Sequence, residues 1–205
     1  MPPDDRPIPR FAAEPPQESV PYGRWADALA ERFLEKCRAI DSEGEDLGEP
    51  GDVVWFPDRT WGGRTYVPAT APTSTGFELF GYVSFTREHE GAEATDFEAV
   101  ADFTDETAEA NPDWRLDLSD QEIASWRGPQ GRRGQIALVW GVALEHKGIA
   151  VTAELGPTTT DQCALIEERF TLVSVDSYTG DYLEVVLWGS DGREVASESL
   201  YAEDD

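Results

Sequence analysis

The sequence predicts a mainly β (α+β) fold: an antiparallel sandwich or barrel of about eight to ten strands, with an N-terminal amphipathic helix and one short helix. Two observations carry that expectation. Apolar residues alternate with a period of two in stretch after stretch, from Val53 to the C-terminus. Turn signals separate those stretches, and no strand-helix-strand rhythm that would indicate a parallel sheet appears.

Residues 1–21 hold seven of the fourteen prolines and few apolar side chains, which predicts an extended arm and not a domain. Residues 22–205 are expected to form a single β-rich domain. From Arg24 to Ile40, Trp25, Leu29, Phe33, Leu34, Cys37 and Ile40 recur at helical spacing with charges on the other faces. The segment Asp41–Asp52 has acids where a calcium loop has them, but Asp46 stands where such a loop needs Gly, and a strand follows. It reads as a solvated linker.

Val53–Phe56 and Thr65–Val67 read as short strands flanking a Gly62-Gly63 turn, and no phosphate-binding GK[ST] follows those glycines. Phe77–Phe85 and Phe97–Phe103 alternate around a polar connection and predict a hairpin. Ser119-Asp-Gln-Glu122 has the form of a capping box, so a short helix is expected from about Asp120 to Trp126.

The stretch Gly134–Leu155 is the most regular in the chain. Ile136, Leu138, Trp140 and Val142 alternate with small residues, and the alternation resumes at Ile149. A hairpin turning at Gly148 is expected, with Val142 opposite Val151 and Trp140 opposite Ala153. The small residues on its second face would let a helix or another subunit lie close. A final hairpin is expected around Asp191-Gly192, with a type I′ turn, Trp188 facing Val195 and Tyr182 facing Tyr201.

Charge bounds the function. Sixteen basic against 42 acidic residues give a net charge of −26, and Lys36 and Lys147 are the only lysines. Carboxylates at this density repel one another at a Debye length of ~10 Å; at ~1 M salt the length falls to ~3 Å and the repulsion is screened. Adaptation to high salt explains both the acid excess and the scarcity of lysine. The same charge opposes nucleic-acid binding, which needs a basic face.

Cys37 and Cys163 make neither a disulfide framework nor a zinc site, and no apolar run reaches the ~18 residues of a membrane span. A soluble protein made in the cytoplasm is expected, one that could enter a virus particle. His89 and His146 fall in unrelated turns, and no nucleophile motif stands out. Glu154 and Glu184 lie on otherwise apolar strands and are expected to face solvent. No enzymatic activity and no cofactor are expected.

Two functional classes remain. The first is a non-enzymatic structural or interaction protein, a subunit of a larger assembly such as the virion of a halophile's virus. It would self-associate or bind neighbouring subunits through Ile8 and Phe11 of the arm and through Arg127, Arg132 and Arg133, the one dense basic patch. The alternative is a β-barrel holding a small apolar ligand, in the manner of lipocalin-like binders and barrel cyclases.

Overall fold

A computed structural model describes residues 19–200 apart from 43, 90, 129–130 and 178–180. One helix and twelve strands follow in chain order: α1 (Gly23–Cys37), β1 (Val54–Trp55), β2 (Arg59–Trp61), β3 (Arg64–Pro72), β4 (Glu78–Thr86), β5 (Thr95–Thr104), β6 (Leu116–Arg127), β7 (Arg133–Ala143), β8 (Gly148–Leu155), β9 (Thr158–Ala164), β10 (Arg169–Asp176), β11 (Leu183–Gly189) and β12 (Glu194–Ser199). The strands form three open antiparallel sheets and no closed barrel. Sheet 1 runs β1-β3-β4-β5, with β2 also paired to β3; sheet 2 runs β10-β7-β6; sheet 3 runs β12-β11-β8-β9.

Alternation along the strands stacks these sheets. In sheet 1, Val67, Ala69, Leu79, Val83 and Phe85 pack under Leu29, Phe33 and Cys37 of α1. Burying Leu29 and Phe33 contributes about 1.5–3 kcal/mol each. Phe56, Tyr66 and Tyr82 of the opposite face meet Ile136, Leu138, Trp140, Val173 and Val175 of sheet 2. On sheet 2's other face, Ala137, Val139, Phe170 and Leu172 meet Val151, Ala153, Val185 and Leu187 of sheet 3. The order is therefore α1, sheet 1, sheet 2, sheet 3. Strands β4, β7 and β10 are covered on both faces, which is why they read as nearly continuous apolar runs.

Four expectations are corrected. First, Gly134–Leu155 is not a hairpin. β7 pairs with β6 and β10, whereas β8 pairs with β9 and β11, so Trp140 lies opposite Ser119 and Thr171, not Ala153. The small face of β7 is indeed approached closely, but by sheet 3 of the same chain. Second, Asp120–Trp126 is strand, not helix. β6 supplies the whole second edge of β7, from Leu116↔Ala143 to Arg127↔Arg133. A bulge between Glu122 and Ala124 shifts the alternation there, which gives Ile123 and Trp126 their helix-like spacing.

Third, the strands number twelve. The short β2 and the polar β9 carry little alternation, and β6 was hidden behind the capping-box pattern. Fourth, the turn after β11 is not type I′. The Gly192 N–H donates to Gly189 O, neither Ser190 nor Asp191 at its centre has a positive φ, and Gly192 after them has φ +74°, the mark of a bulged type I turn.

Other expectations hold. α1 matches the predicted helix to within one residue at its start and ends three residues earlier, at Cys37, β4 and β5 pair with Gly81 opposite Ala101, and Gly62-Gly63 turns the β2–β3 hairpin with both φ angles positive. The terminal hairpin keeps the expected register up to Leu187↔Ala196, but a bulge then sets Trp188 opposite Glu194, not Val195; Tyr201, expected opposite Tyr182, lies outside the described residues. Pro68 sits inside β3 where the neighbouring edge passes from β1 to β2; it offers its carbonyl to Phe56 N–H at 3.0 Å, and its missing N–H breaks no ladder.

Candidate functional site

The predicted interaction residues divide. Ile8 and Phe11 lie outside the described residues. Arg127 and Arg133 are cross-strand partners at the loop end of the β6–β7 hairpin, and Arg132 stands beside them, its carbonyl accepting the Gly128 N–H at 2.8 Å. All three side chains are exposed. None forms an ion pair with a carboxylate among the described residues. Three guanidiniums held together by backbone pairing present a concentrated positive edge, suited to bidentate contact with carboxylates.

The root of the arm is pinned. Ser19 N–H donates to Asp58 Oδ1 at 2.9 Å, and Asp58 N–H donates back to Ser19 O at 3.0 Å. Burial raises the Asp58 carboxyl above its ordinary value, a shift opposed by its bonds to Ser19 and by Arg87. Val20 packs into the core beneath α1. Tyr22, 86% exposed, stands at the mouth of a hollow of about 430 Å³ formed with Pro21, Trp25 and Val67. Residues 19–21, read as part of the arm, are thus attached to sheet 1.

Three features were missed from sequence. The first is Arg59 on β2, 1% exposed, which reaches Asp161 on β9. Its Nη2 donates to Asp161 Oδ1 at 2.5 Å and to Gln162 O at 3.1 Å, and its Nε donates to Asp161 Oδ2 at 3.3 Å. Asp161 also accepts the Val173 N–H of β10 at 2.9 Å. One ion pair therefore ties sheets 1, 2 and 3 along one edge. No local pattern announces a contact across 102 positions.

The second is a set of carboxyls at the sheet seams. Glu78 on β4 is pushed up to about 7 by burial and then by Asp117 of β6, which burial also raises. Asp120 is raised by burial and by Asp176. In a chain with 42 acids, sequence could not single these out. The third is a groove of about 570 Å³ on the outer face of sheet 3, between Trp188, Thr152 and β9.

His146 is exposed and its Nδ1 lies 2.7 Å from Glu168 Oε1; His89 lies in the β4–β5 connection. Glu154 and Glu184 point away from the sheet 2–sheet 3 core, as expected. Cys37 and Cys163 are buried free thiols, and burial pushes Cys37 up to about 11. Among the described residues, no cluster of three or more His, Cys, Asp or Glu could hold a metal, and no helix is long and apolar enough to cross a membrane. No protein-family model matches the chain, and neither a curated protein nor a solved structure does.

Proposed function

We propose that this protein is a non-enzymatic structural subunit, joining copies of itself or neighbouring subunits into a larger assembly in concentrated salt, for example the particle of a halophile's virus. The observation that carries this reading is the exposed trio Arg127, Arg132 and Arg133, held on one turn of a chain of net charge −26. Such an edge meets its complement on the acidic surface of another copy, and a contact between unlike surfaces repeats into a ring or a tube. The root pinned at Ser19 supports the further proposal that Ile8 and Phe11 of the arm engage a neighbouring subunit. The alternative of a ligand-holding barrel needs a hollow interior, whereas sheet 2 is filled on both faces, with Trp140 at 0% exposure.

Sedimentation in molar potassium chloride tests the reading. Full-length protein should run as an oligomer, and the R127E/R132E/R133E variant should run smaller with an unchanged melting midpoint. Deletion of residues 1–18, sparing Ser19 and Val20, should have the same effect. The midpoint itself should rise with salt as self-repulsion is screened. A full-length monomer at high salt and concentration, with no co-purifying partner, would overturn the assembly reading. A flat midpoint would remove the halophilic one.

A further inference from the structure

The groove on sheet 3 has the chemistry of a receptor. Its wall is set by a relay in which the Trp188 indole N–H donates to Thr152 Oγ1 at 2.8 Å and the Thr152 hydroxyl donates to Glu154 Oε1 at 3.0 Å. Ala150, Ala164 and Gln162 line the groove together with Trp188 and Thr152. Beside it, Glu154 and Glu184 are direct cross-strand partners. Like charges in that register repel, and no Arg or Lys among the described residues pairs with either. The surface thus offers an aromatic-lined groove next to two carboxylates that lack a cation.

One segment of this chain answers both demands. Residues 6–11 read Arg-Pro-Ile-Pro-Arg-Phe, two guanidiniums bracketing an apolar, proline-stiffened core. Proline-rich segments dock on aromatic grooves because their extended conformation is already formed and little entropy is lost.

The start of the described chain reaches the edge of the stack on which β9 lies. Ser19 is bonded to Asp58; the next residue, Arg59, is bonded to the backbone oxygen of Gln162, which lines the groove. Eight residue steps lead from Ser19 to Phe11 and span up to about 27 Å at ~3.4 Å each. We infer that the groove formed by β8, β9 and Trp188 is a docking site for the Arg6–Phe11 segment of the same chain, with Phe11 and Pro9 against Trp188 and the two arginines on Glu154 and Glu184. This contact would keep the arm on its own subunit until a neighbour claims it, and it does not depend on the assembly reading.

The test uses the full chain with a photo-reactive phenylalanine analogue in place of Phe11. Illumination of a mixture of isotope-labelled and unlabelled protein should crosslink position 11 to peptides carrying Ala150, Ala164 or Trp188, always within one label. Separately, chymotryptic cleavage after Phe11 should be about tenfold faster in A164R, which puts a like charge in an exposed groove position. It should be similarly fast in R6E/R10E, and slow again when E154R/E184R is added to that variant. Crosslinks elsewhere, or cleavage indifferent to A164R, overturn the inference and leave the assembly reading intact. Crosslinks to the groove only between labels overturn docking within one chain and assign the groove to a neighbour's arm. A particle that sediments as a monomer yet crosslinks within one label leaves this inference standing while the assembly reading fails.

Discussion

The stretch from Arg133 to Leu155 and the stretch from Leu183 to Ser199 each hold two strands joined by four residues, 144–147 in one and 190–193 in the other. The second is a hairpin; the first is an arch whose strands lie in different sheets. Backbone partners make the difference. At the end of β7, the Ala143 N–H donates to Glu168 O at 2.8 Å and the Leu144 N–H to Arg115 O at 3.0 Å, so both edges are occupied by β10 and β6. β8 has no edge to join. It enters sheet 3 instead, and its Val151 and Ala153 join the core that Ala137 and Val139 of β7 also line. At the tip of β11, the Gly189 N–H donates to Arg193 O at 2.9 Å and nothing else competes for that edge. Alternation fixes a strand and its faces, while the choice of neighbour is made by the rest of the sheet.

The two regions should differ most when their tryptophans are truncated. Trp140 is fully buried between sheets 1 and 2, with the Phe80 ring centroid 6.4 Å away. Trp140→Ala should cost about 3–5 kcal/mol in guanidinium unfolding at fixed high salt. Trp188, half-buried on the outer face, should cost about 1–2 kcal/mol on the same change. Equal losses would mean that the arch is no more buried than the hairpin.

A similar loss is expected where the stack is tied together. Arg59→Ala leaves Asp161 buried without its cation and should cost about 3–5 kcal/mol. Arg115→Ala removes an exposed contact to Glu145 at 3.4 Å and should cost under ~0.5 kcal/mol. A small effect of Arg59→Ala would show that the sheets hold without that pair and that apolar contact alone sets the arch.

Stacking also brings carboxyls to its seams, and there the expected effect depends on pH. The Glu78 carboxyl titrates near 7 in the folded chain against an ordinary 4.5, so its ionisation opposes folding. Below about pH 4.5 it is protonated in both states and costs nothing; the penalty grows as pH rises and is complete above about 7. Glu78→Gln should therefore stabilise by about 1–2 kcal/mol at pH 8, a figure reduced for partial exposure, and by almost nothing at pH 4. Urea midpoints across that range check the sign. A gain that persisted at pH 4 would point to packing instead of charge.

The pattern of success in reading the sequence follows the same division. α1, the β2–β3 turn at Gly62-Gly63, β4 with β5 and the terminal hairpin are specified within short windows, so local spacing revealed them. β6 was hidden because Ser119 and Glu122 satisfy a helix-capping pattern, and only the need of β7 for a second edge overrides it. The Arg127–Arg133 cluster was visible as a run of charge. Asp161, Glu78 and Trp188 gain their roles from residues in other sheets, and nothing near them in sequence records that.

The smallest expected difference concerns the glycines of the two connections, which serve opposite ends. Gly192 has φ +74° and open space where a Cβ would stand, so its requirement is conformational. Gly148, expected to supply a positive φ at a hairpin turn, instead opens β8 without one, and a Cβ there would run into the Leu187 side chain. Its requirement is steric. Gly192→Ala should cost about 1 kcal/mol, lowering the melting midpoint by about 2–4 °C, because an alanine resists the left-handed region. Gly192→Asn, which tolerates that region, should recover most of the loss. At Gly148 the order should reverse. Alanine should cost about 1 kcal/mol as Leu187 shifts, and asparagine, larger and polar, should cost more. Melting scans of the four variants in one buffer decide it: if asparagine rescues both positions, Gly148 turns the chain as Gly192 does, and the arch contains the hairpin-like turn that its sequence suggests.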